Sequence, residues 1–201
     1  MTSKVSICSN ALLLIGDNPI NDFEASGPDQ DRVRIVSSLW EFVKDNAIRS
    51  HNWSSCIKRV QLAKDAVAPP WGDQSDFTYA FTIPSDCLRI LSVYPFESPI
   101  DHKVEGKKIL CNFETLYLRY LFRNDDVPSW DAGLIDVMTY SMAAALAYPI
   151  KQSGDLQSRF ETLVAMKLRT ARAVDSNQST QYGITSSPLT QIRGVGGGWN
   201  G

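Results

Sequence analysis

The apolar residues of this 201-residue chain change their spacing twice along its length, and this constrains the fold more than any other feature. Residues 1–55 and 124–175 repeat apolar side chains every three or four positions, whereas residues 56–123 alternate them with polar ones. The outer segments are therefore predicted to be helical and the middle segment to form strands. Because the strands lie in one block, we expect an α+β fold rather than alternating α/β units.

Four helices are predicted from start and stop signals. Ser3 is expected to cap a first helix that ends before Gly16, and a second helix runs from about residue 29 to residue 49. The third helix is rich in Ala and Met and is expected to run from residue 131 to residue 148, where Pro149 closes it. The fourth begins near residue 153 and continues to about residue 175. We expect these segments to pair into one four-helix bundle, or two helical pairs, into which the β domain of residues 56–123 is inserted.

About five or six short strands are predicted in the middle segment, which favours an antiparallel sheet, a sandwich or a small barrel. Glu105 and Gly106 are typical of a hairpin turn. The sequence Pro69-Pro70-Trp71 is interpreted as a protruding loop, and Trp71 is its candidate interface residue.

The last segment, residues 176–201, has the composition of an extended tail. It holds six of the twelve glycines, and its only charged residue is Arg193. Holding such a segment in one conformation costs roughly 1–2 kcal/mol of backbone entropy per residue, which it cannot recover from contacts with itself. We therefore expect it to dock on a neighbouring subunit or a partner protein. The candidate interface residues are Tyr182, Leu189, Ile192, Arg193 and Trp199.

Composition argues against several classes of function. The net charge is −2, with 20 basic and 22 acidic residues, whereas a dedicated nucleic-acid binder carries a basic face. The longest apolar run near the N-terminus, residues 11–15, is far shorter than the roughly 20 residues of a membrane span, so no membrane association or signal peptide is expected. Cys8, Cys56, Cys87 and Cys111 form no CxxC pair and are expected to be reduced thiols of a cytosolic protein.

No catalytic or metal-binding motif is evident. The candidate ligands beside the cysteines are His51 and His102, and the spacing of His51 and Cys56 matches no zinc signature. There is no GxSxG motif, and residues 194–198 lack the strand and lysine of a phosphate loop. We therefore expect neither an enzyme nor a bound metal or cofactor. Trp40 is expected in the core, Trp53 at the junction with the β domain, and Trp130 as a staple before the third helix.

Four segments, in this order, resemble the tail tubular protein A family of short-tailed bacteriophages. They are SNALLLIGDNPI at residues 9–20, RSHNW at 49–53 followed by RVQLA at 59–63, YAFTIPSDCLRIL at 79–91, and AAALAYP at 143–149. The similarity extends over roughly residues 9–174. The tail has no counterpart in this pattern.

The resemblance implies a structural virion protein, a head-to-tail adaptor. Such proteins combine a helical bundle with a β domain and form a ring, typically a dodecamer, between the portal and the tail nozzle. The expected partners are neighbouring copies, the portal, the nozzle and double-stranded DNA passing through the lumen, and assembly takes place in the host cytoplasm. We expect the β domain to point away from the portal, with the loop of residues 69–71 facing the nozzle. Lys167, Arg169 and Arg172 could face the channel, although a solvated helix face that complements the helix dipole is the favoured interpretation.

Two alternatives remain open at this point. One is a connector or tail-completion protein of a longer-tailed phage. The other is a virion-associated cell-wall hydrolase, which would need His51 or His102, or a pair of carboxylates, in a cleft.

Overall fold

The computed structural model describes residues 2–24, 29–67, 77–94 and 100–178, and all statements below refer to these ranges. The helices are α1 (Lys4–Leu14), α2 (Gln30–Arg49), α3 (Ala132–Lys151) and α4 (Gly154–Gln178), and the strands are β1 (Ile57–Leu62), β2 (Tyr79–Thr82), β3 (Cys87–Tyr94), β4 (Lys103–Glu105), β5 (Lys108–Cys111) and β6 (Leu116–Phe122). All the described strands lie between α2 and α3 in the chain, which confirms the predicted α+β class.

Helix α3 lies at the centre of the helical part, because α1, α2 and α4 all pack against it. Its buried residues are Leu134, Val137, Met138, Met142, Ala143, Ala144, Leu146 and Ala147. By length and by a mean hydropathy of 1.2, this 20-residue helix would also suffice to cross a membrane. Its position among three other helices accounts for the apolar composition, since a helix enclosed by protein needs no polar face.

Pro149 does not end α3, contrary to the prediction. The helix continues to Lys151, and Gln152 then adopts a left-handed conformation with φ of 51° while its N–H donates to the carbonyl of Tyr148 at 2.8 Å. A proline in the last turn removes only one helical hydrogen bond, so the turn closes around it. Helix α4 begins near residue 153 as predicted, and Ser153 caps it, with its Oγ accepting from the N–H of Leu156 at 3.2 Å.

The strands form two antiparallel three-stranded sheets, ordered β1-β6-β3 and β2-β5-β4. A single bridge between Lys64 and Phe81 links them, and the described strands do not close into a barrel. The predicted hairpin is confirmed: Glu105 pairs with Lys108, and Gly106 has φ of 59°, a conformation that favours glycine.

Strand β6 is the central strand of the first sheet, and its two faces meet different cores. Leu116, Leu118 and Tyr120 lie in a cluster shared with the second sheet. Leu121 points the other way and belongs to the helical core, together with Ile57 of β1. The first sheet therefore lies between the helices and the second sheet, and the alternation predicted for β6 is confirmed.

Polar contacts tie the sheet to the end of α2. The guanidinium of Arg89 in β3 donates to the carbonyl of Arg49 at 2.9 Å and to the side chain of Asn52. Arg123, just after β6, donates to both carboxylate oxygens of Asp45, with the shortest distance 2.6 Å. These contacts fix the orientation of the sheet relative to α2.

Three tryptophans are buried in the helical part. The rings of Trp40 and Trp130 stack with centroids 6.2 Å apart and planes 5° from parallel, so both predicted packing roles are confirmed. Trp53 is buried as well, and its Nε1–H donates to the carbonyl of Ala47 at 2.9 Å. Its ring lies against the start of α3, where a Cβ at Gly133 would come within 3.2 Å of it.

Candidate docking surface beside the last helix

Helix α4 packs against α3 along one row of apolar residues. The row consists of Leu156, Phe160, Val164, Leu168 and Ala171, spaced by three or four positions. Phe160 is buried, and its ring centroid lies 6.3 Å from that of Tyr140 in α3. All these side chains lie on one side of the helix. Helix α4 therefore leaves exposed surface on both flanks of its contact with α3.

A second row of apolar residues on α4 remains exposed. Leu163, Met166 and Val174 keep 36%, 55% and 52% of their surface accessible. They line a groove of about 610 Å³ whose other wall includes Trp53 and the start of α3. Exposed apolar side chains that occur singly need no explanation, but a row of them along a groove is typical of an interaction surface.

A further groove lies on the other side of α4, where α2, α3 and α4 meet. It has a volume of about 480 Å³, and Phe42 of α2, 69% exposed, stands at its rim. Glu161 and Gln157 of α4 form part of its wall and are hydrogen-bonded to each other at 2.9 Å. We refer to these two grooves and the exposed residues beside them as the α4 surface.

The structure separates the three basic residues that were considered for the channel. Lys167 forms an ion pair with Asp136 of α3 at 2.9 Å, and this hydrogen bond raises the pKa of Lys167 above its usual value. Arg172 donates to the carbonyl of Ser50 at 3.3 Å. Lys167 and Arg172 are five positions apart and thus point roughly 140° away from each other around the helix. Arg169 is exposed. The three do not form one basic patch, which favours the interpretation as a solvated helix face.

The other predicted interface residues lie outside the described residues. This applies to Pro69, Pro70 and Trp71 of the loop, and to Tyr182, Leu189, Ile192, Arg193 and Trp199 of the tail. Their roles remain predictions.

The cysteines and histidines are not arranged for chemistry in the described part of the chain. Burial raises the pKa of Cys8 to about 12 and that of Cys56 to about 11, so both thiols stay protonated and are poor nucleophiles. The ring of His51 packs edge-on against Trp53 with centroids 4.8 Å apart, and His102 lies within 2.9 Å of the carbonyl of Ile100. Among residues 2–24, 29–67, 77–94 and 100–178, no three metal-ligating side chains come together.

Comparison with known proteins gives no match, either to a protein-family model or to a curated protein sequence. The family resemblance is therefore carried by the four sequence segments alone.

Sequence reasoning missed most of the α4 surface. Leu163, one of the apolar positions of the fourth helix, is partly exposed and lines the larger groove. Val164 and Leu168 take the packed positions instead. The missed signal is the double apolar pattern of α4: a helix that only covers its neighbour needs one stripe, and Leu163, Met166 and Val174 form a second.

Proposed function

We propose that this protein is a structural virion component, a head-to-tail adaptor of a short-tailed bacteriophage. Copies of the chain form a ring, with a dodecamer as the expected form, between the portal and the tail nozzle. The ring continues the DNA channel and acts through its geometry, without a cofactor. It assembles in the host cytoplasm and resides in the neck of the virion.

The observation that carries this proposal is the exposed apolar row on α4. A ring requires two different, complementary surfaces on every subunit, because each copy contacts two neighbours through unlike faces. The residues Leu163, Met166 and Val174 and the groove beside them supply one such surface, at the outer edge of the helical part. Side-by-side packing of the helical parts would remove these side chains from water.

The proposal includes a division of labour along the chain. Residues 1–55 and 124–178 form the helical bundle, residues 56–123 the β domain, and residues 179–201 an extended tail. The tail was predicted to begin at residue 176, but α4 continues to Gln178. The bundle packs in the ring, the loop of Pro69, Pro70 and Trp71 meets the nozzle, and the tail lies along the portal or a neighbouring copy. Double-stranded DNA passes through the lumen without sequence-specific contacts. Because Lys167 is paired with Asp136, it offers little grip on phosphate, and this suits passage better than binding.

The ring can be tested with the full-length protein, alone and mixed with the portal protein of the same virus. Negative-stain images and native mass measurements should show closed rings in the presence of the portal. Met166→Asp places a charge on the exposed row and is expected to abolish ring formation, since a buried unpaired carboxylate is costly. Ala165→Asp is the matched control, because Ala165 is exposed on α4 but lines neither groove.

Two results would overturn the proposal. One is a wild-type chain that remains monomeric at every concentration with the portal present. The other is a Met166→Asp variant that forms rings as well as Ala165→Asp does. The role of the tail is tested separately by deleting residues 179–201: attachment to portal-bearing capsids should be lost, and normal attachment would remove the tail from the proposal.

A further inference from the structure

The first sheet carries an array of polar and aromatic side chains on the face that turns toward the helices. In an antiparallel sheet, residues directly opposite each other project from the same face. The pairing therefore places Arg59, Arg119 and Ser92 in one row, and Gln61, Tyr117 and Tyr94 in the next. The neighbouring row on the same face, formed by Ile57 and Leu121, is covered by the helical core. We call these six residues, Arg59, Gln61, Ser92, Tyr94, Tyr117 and Arg119, the arginine–tyrosine face.

The two arginines of this face are direct cross-strand neighbours without charge compensation. Like charges in opposite positions of a sheet repel each other. Neither Arg59 nor Arg119 has an ion pair or a hydrogen bond from its side chain within the described ranges, and the Nε of Arg119 is buried without an acceptor. A buried donor without a partner is unfavourable, because it has lost its water and gained nothing in return.

Other arginines of the chain show that this arrangement is unusual for it. Arg32 contacts Asp17 and Asp29, Arg123 contacts Asp45, and Arg89 is bound at the end of α2. The tyrosines support the same interpretation as the unpaired arginines, because Tyr and Arg are enriched at the centres of protein interfaces and contribute much of their binding energy. Here Tyr94 and Tyr117 stand directly beside the two arginines.

The chemistry that satisfies two adjacent guanidinium groups is a carboxylate, which a guanidinium binds through two parallel hydrogen bonds. The chain itself supplies such groups. Asp155 and Glu161 are exposed on α4 and have no basic partner in the described part of the chain. A second copy can therefore offer complementary charge.

We propose that the arginine–tyrosine face of one copy binds exposed carboxylates of a second copy and so forms one side of the contact between neighbouring subunits. This inference rests on the proposed ring, and it names the surface that meets the α4 side of the next copy. The contact is heterologous: each subunit gives the arginine–tyrosine face to one neighbour and the exposed carboxylates of Asp155 and Glu161 on α4 to the other.

The decisive variant is Arg59→Glu. It places a carboxylate directly opposite Arg119, so the isolated monomer should gain a cross-strand ion pair and melt ~1–3 °C higher. The same change puts a negative charge where the neighbour's carboxylate has to sit. Self-association, measured by sedimentation velocity of the full-length protein at several salt concentrations, should weaken by about tenfold or more. Lys107→Glu changes the net charge equally on an exposed residue of the other sheet, and it should stay within about twofold of wild type.

Mixing the Arg59→Glu variant with wild-type protein gives a second measurement, and this one distinguishes a lost contact from a loss of folding. An Arg59→Glu subunit retains its α4 side, so in a heterologous contact it should cap growing oligomers and lower the yield of wild-type assemblies. An unfolded variant would leave the wild type unaffected.

The possible failures can be told apart. If Arg59→Glu assembles like Lys107→Glu while Met166→Asp does not, the ring stands and the arginine–tyrosine face is excluded from it. If wild type never assembles, even with the portal, the proposed function fails first. If Arg59→Glu loses binding to a 30-nucleotide single-stranded DNA probe but assembles normally, the face is a nucleic-acid site and the subunit contact is overturned.

Discussion

The helical part and the β part of this protein are held together by different kinds of contact. Helix α3 is enclosed by three other helices, and a stacked pair, Trp40 and Trp130, closes one side of that core. The two sheets share a smaller core, and charged side chains reinforce it at its edges. Examples are the contacts of Asp86 with Lys58 and Tyr120, and of Asp65 with Lys108. Stability should therefore respond to lost volume in the helices and to acidic pH in the sheets.

The two parts nevertheless share residues. Leu121 and Ile57 belong to strands but pack in the helical core, and Arg89 and Arg123 bond to α2 and the segment after it. We therefore expect one cooperative unfolding transition rather than two, since neither part keeps a complete core without the other.

The largest effect is expected from Trp130→Ala. Removing a buried indole from a stacked pair leaves a cavity in the helical core, and the expected loss is about 3–5 kcal/mol of unfolding free energy. Urea denaturation followed by circular dichroism would measure it. Phe42→Ala is the control, since this side chain is 69% exposed and its loss should cost little. Similar values for the two variants would contradict the assignment of the tryptophan stack to the core.

The next effect concerns Lys44, which is 2% exposed and contacts Glu41 at 2.6 Å and the carboxylate of Asp125. Burial alone would lower the pKa of Lys44, but the hydrogen bonds to Asp125 and Glu41 outweigh it and raise the pKa above its usual value. The ion pairs should therefore stabilise the fold at neutral pH, and their contribution should be lost as the pH rises through this elevated pKa.

Removing both carboxylates with Glu41→Ala and Asp125→Ala leaves the ammonium group buried without a partner, which should cost about 2–3 kcal/mol. Lys44→Met removes the charge together with its need for partners and should change stability by less than about 1 kcal/mol. Urea midpoints of both variants at neutral pH test this contrast. A larger loss for Lys44→Met than for the double variant would contradict it.

Much of the fold could be predicted because it depends on local patterns. The spacing of apolar residues, together with start and stop signals, predicts α1 and α2, and Glu105 and Gly106 predict the hairpin turn. A block of alternating apolar and polar residues between the helical segments predicts the α+β class. Pro149 shows the limit, since whether a proline ends a helix depends on what the following turn can contact. The arginine–tyrosine face shows a second limit of prediction from sequence. Arg59 and Arg119 are 60 positions apart, and only the register of β1 against β6 makes them neighbours.

A smaller, pH-dependent effect is expected from Asp86→Asn in the β part. Burial alone would raise the pKa of Asp86, but hydrogen bonds from Lys58 and Tyr120 outweigh it and hold the pKa below its usual range. The stabilisation should be present above the unfolded-state value of about 4 and lost as the pH falls through the lower, folded-state value. Because these groups are partly exposed, wild type should exceed the variant by only about 1 kcal/mol at pH 7. Urea midpoints at pH 7 and pH 3 should show the difference shrinking, and an equal difference at both would contradict it.

The same variant has a spectroscopic readout. Burial, together with the hydrogen bond to Asp86, raises the pKa of Tyr120 to about 12. In Asp86→Asn the negative neighbour is gone, so Tyr120 should ionise at lower pH. Ultraviolet absorbance during an alkaline titration would detect this as one tyrosine moving toward the main transition. No change would show that Asp86 does not control this phenol.

The smallest effect on stability is expected where the effect on assembly is largest. Met166→Ser shortens a side chain that is 55% exposed, so the unfolding free energy should change by at most about 0.5 kcal/mol. Phe160→Ser, six positions earlier on the same helix, removes a buried ring and should cost several times more. If the exposed row serves contacts between subunits, Met166→Ser should weaken self-association in sedimentation experiments while its urea midpoint stays at the wild-type value. A variant that loses stability and association in parallel would instead assign Met166 to the fold, and the distinction between the packed and the open side of α4 would no longer hold.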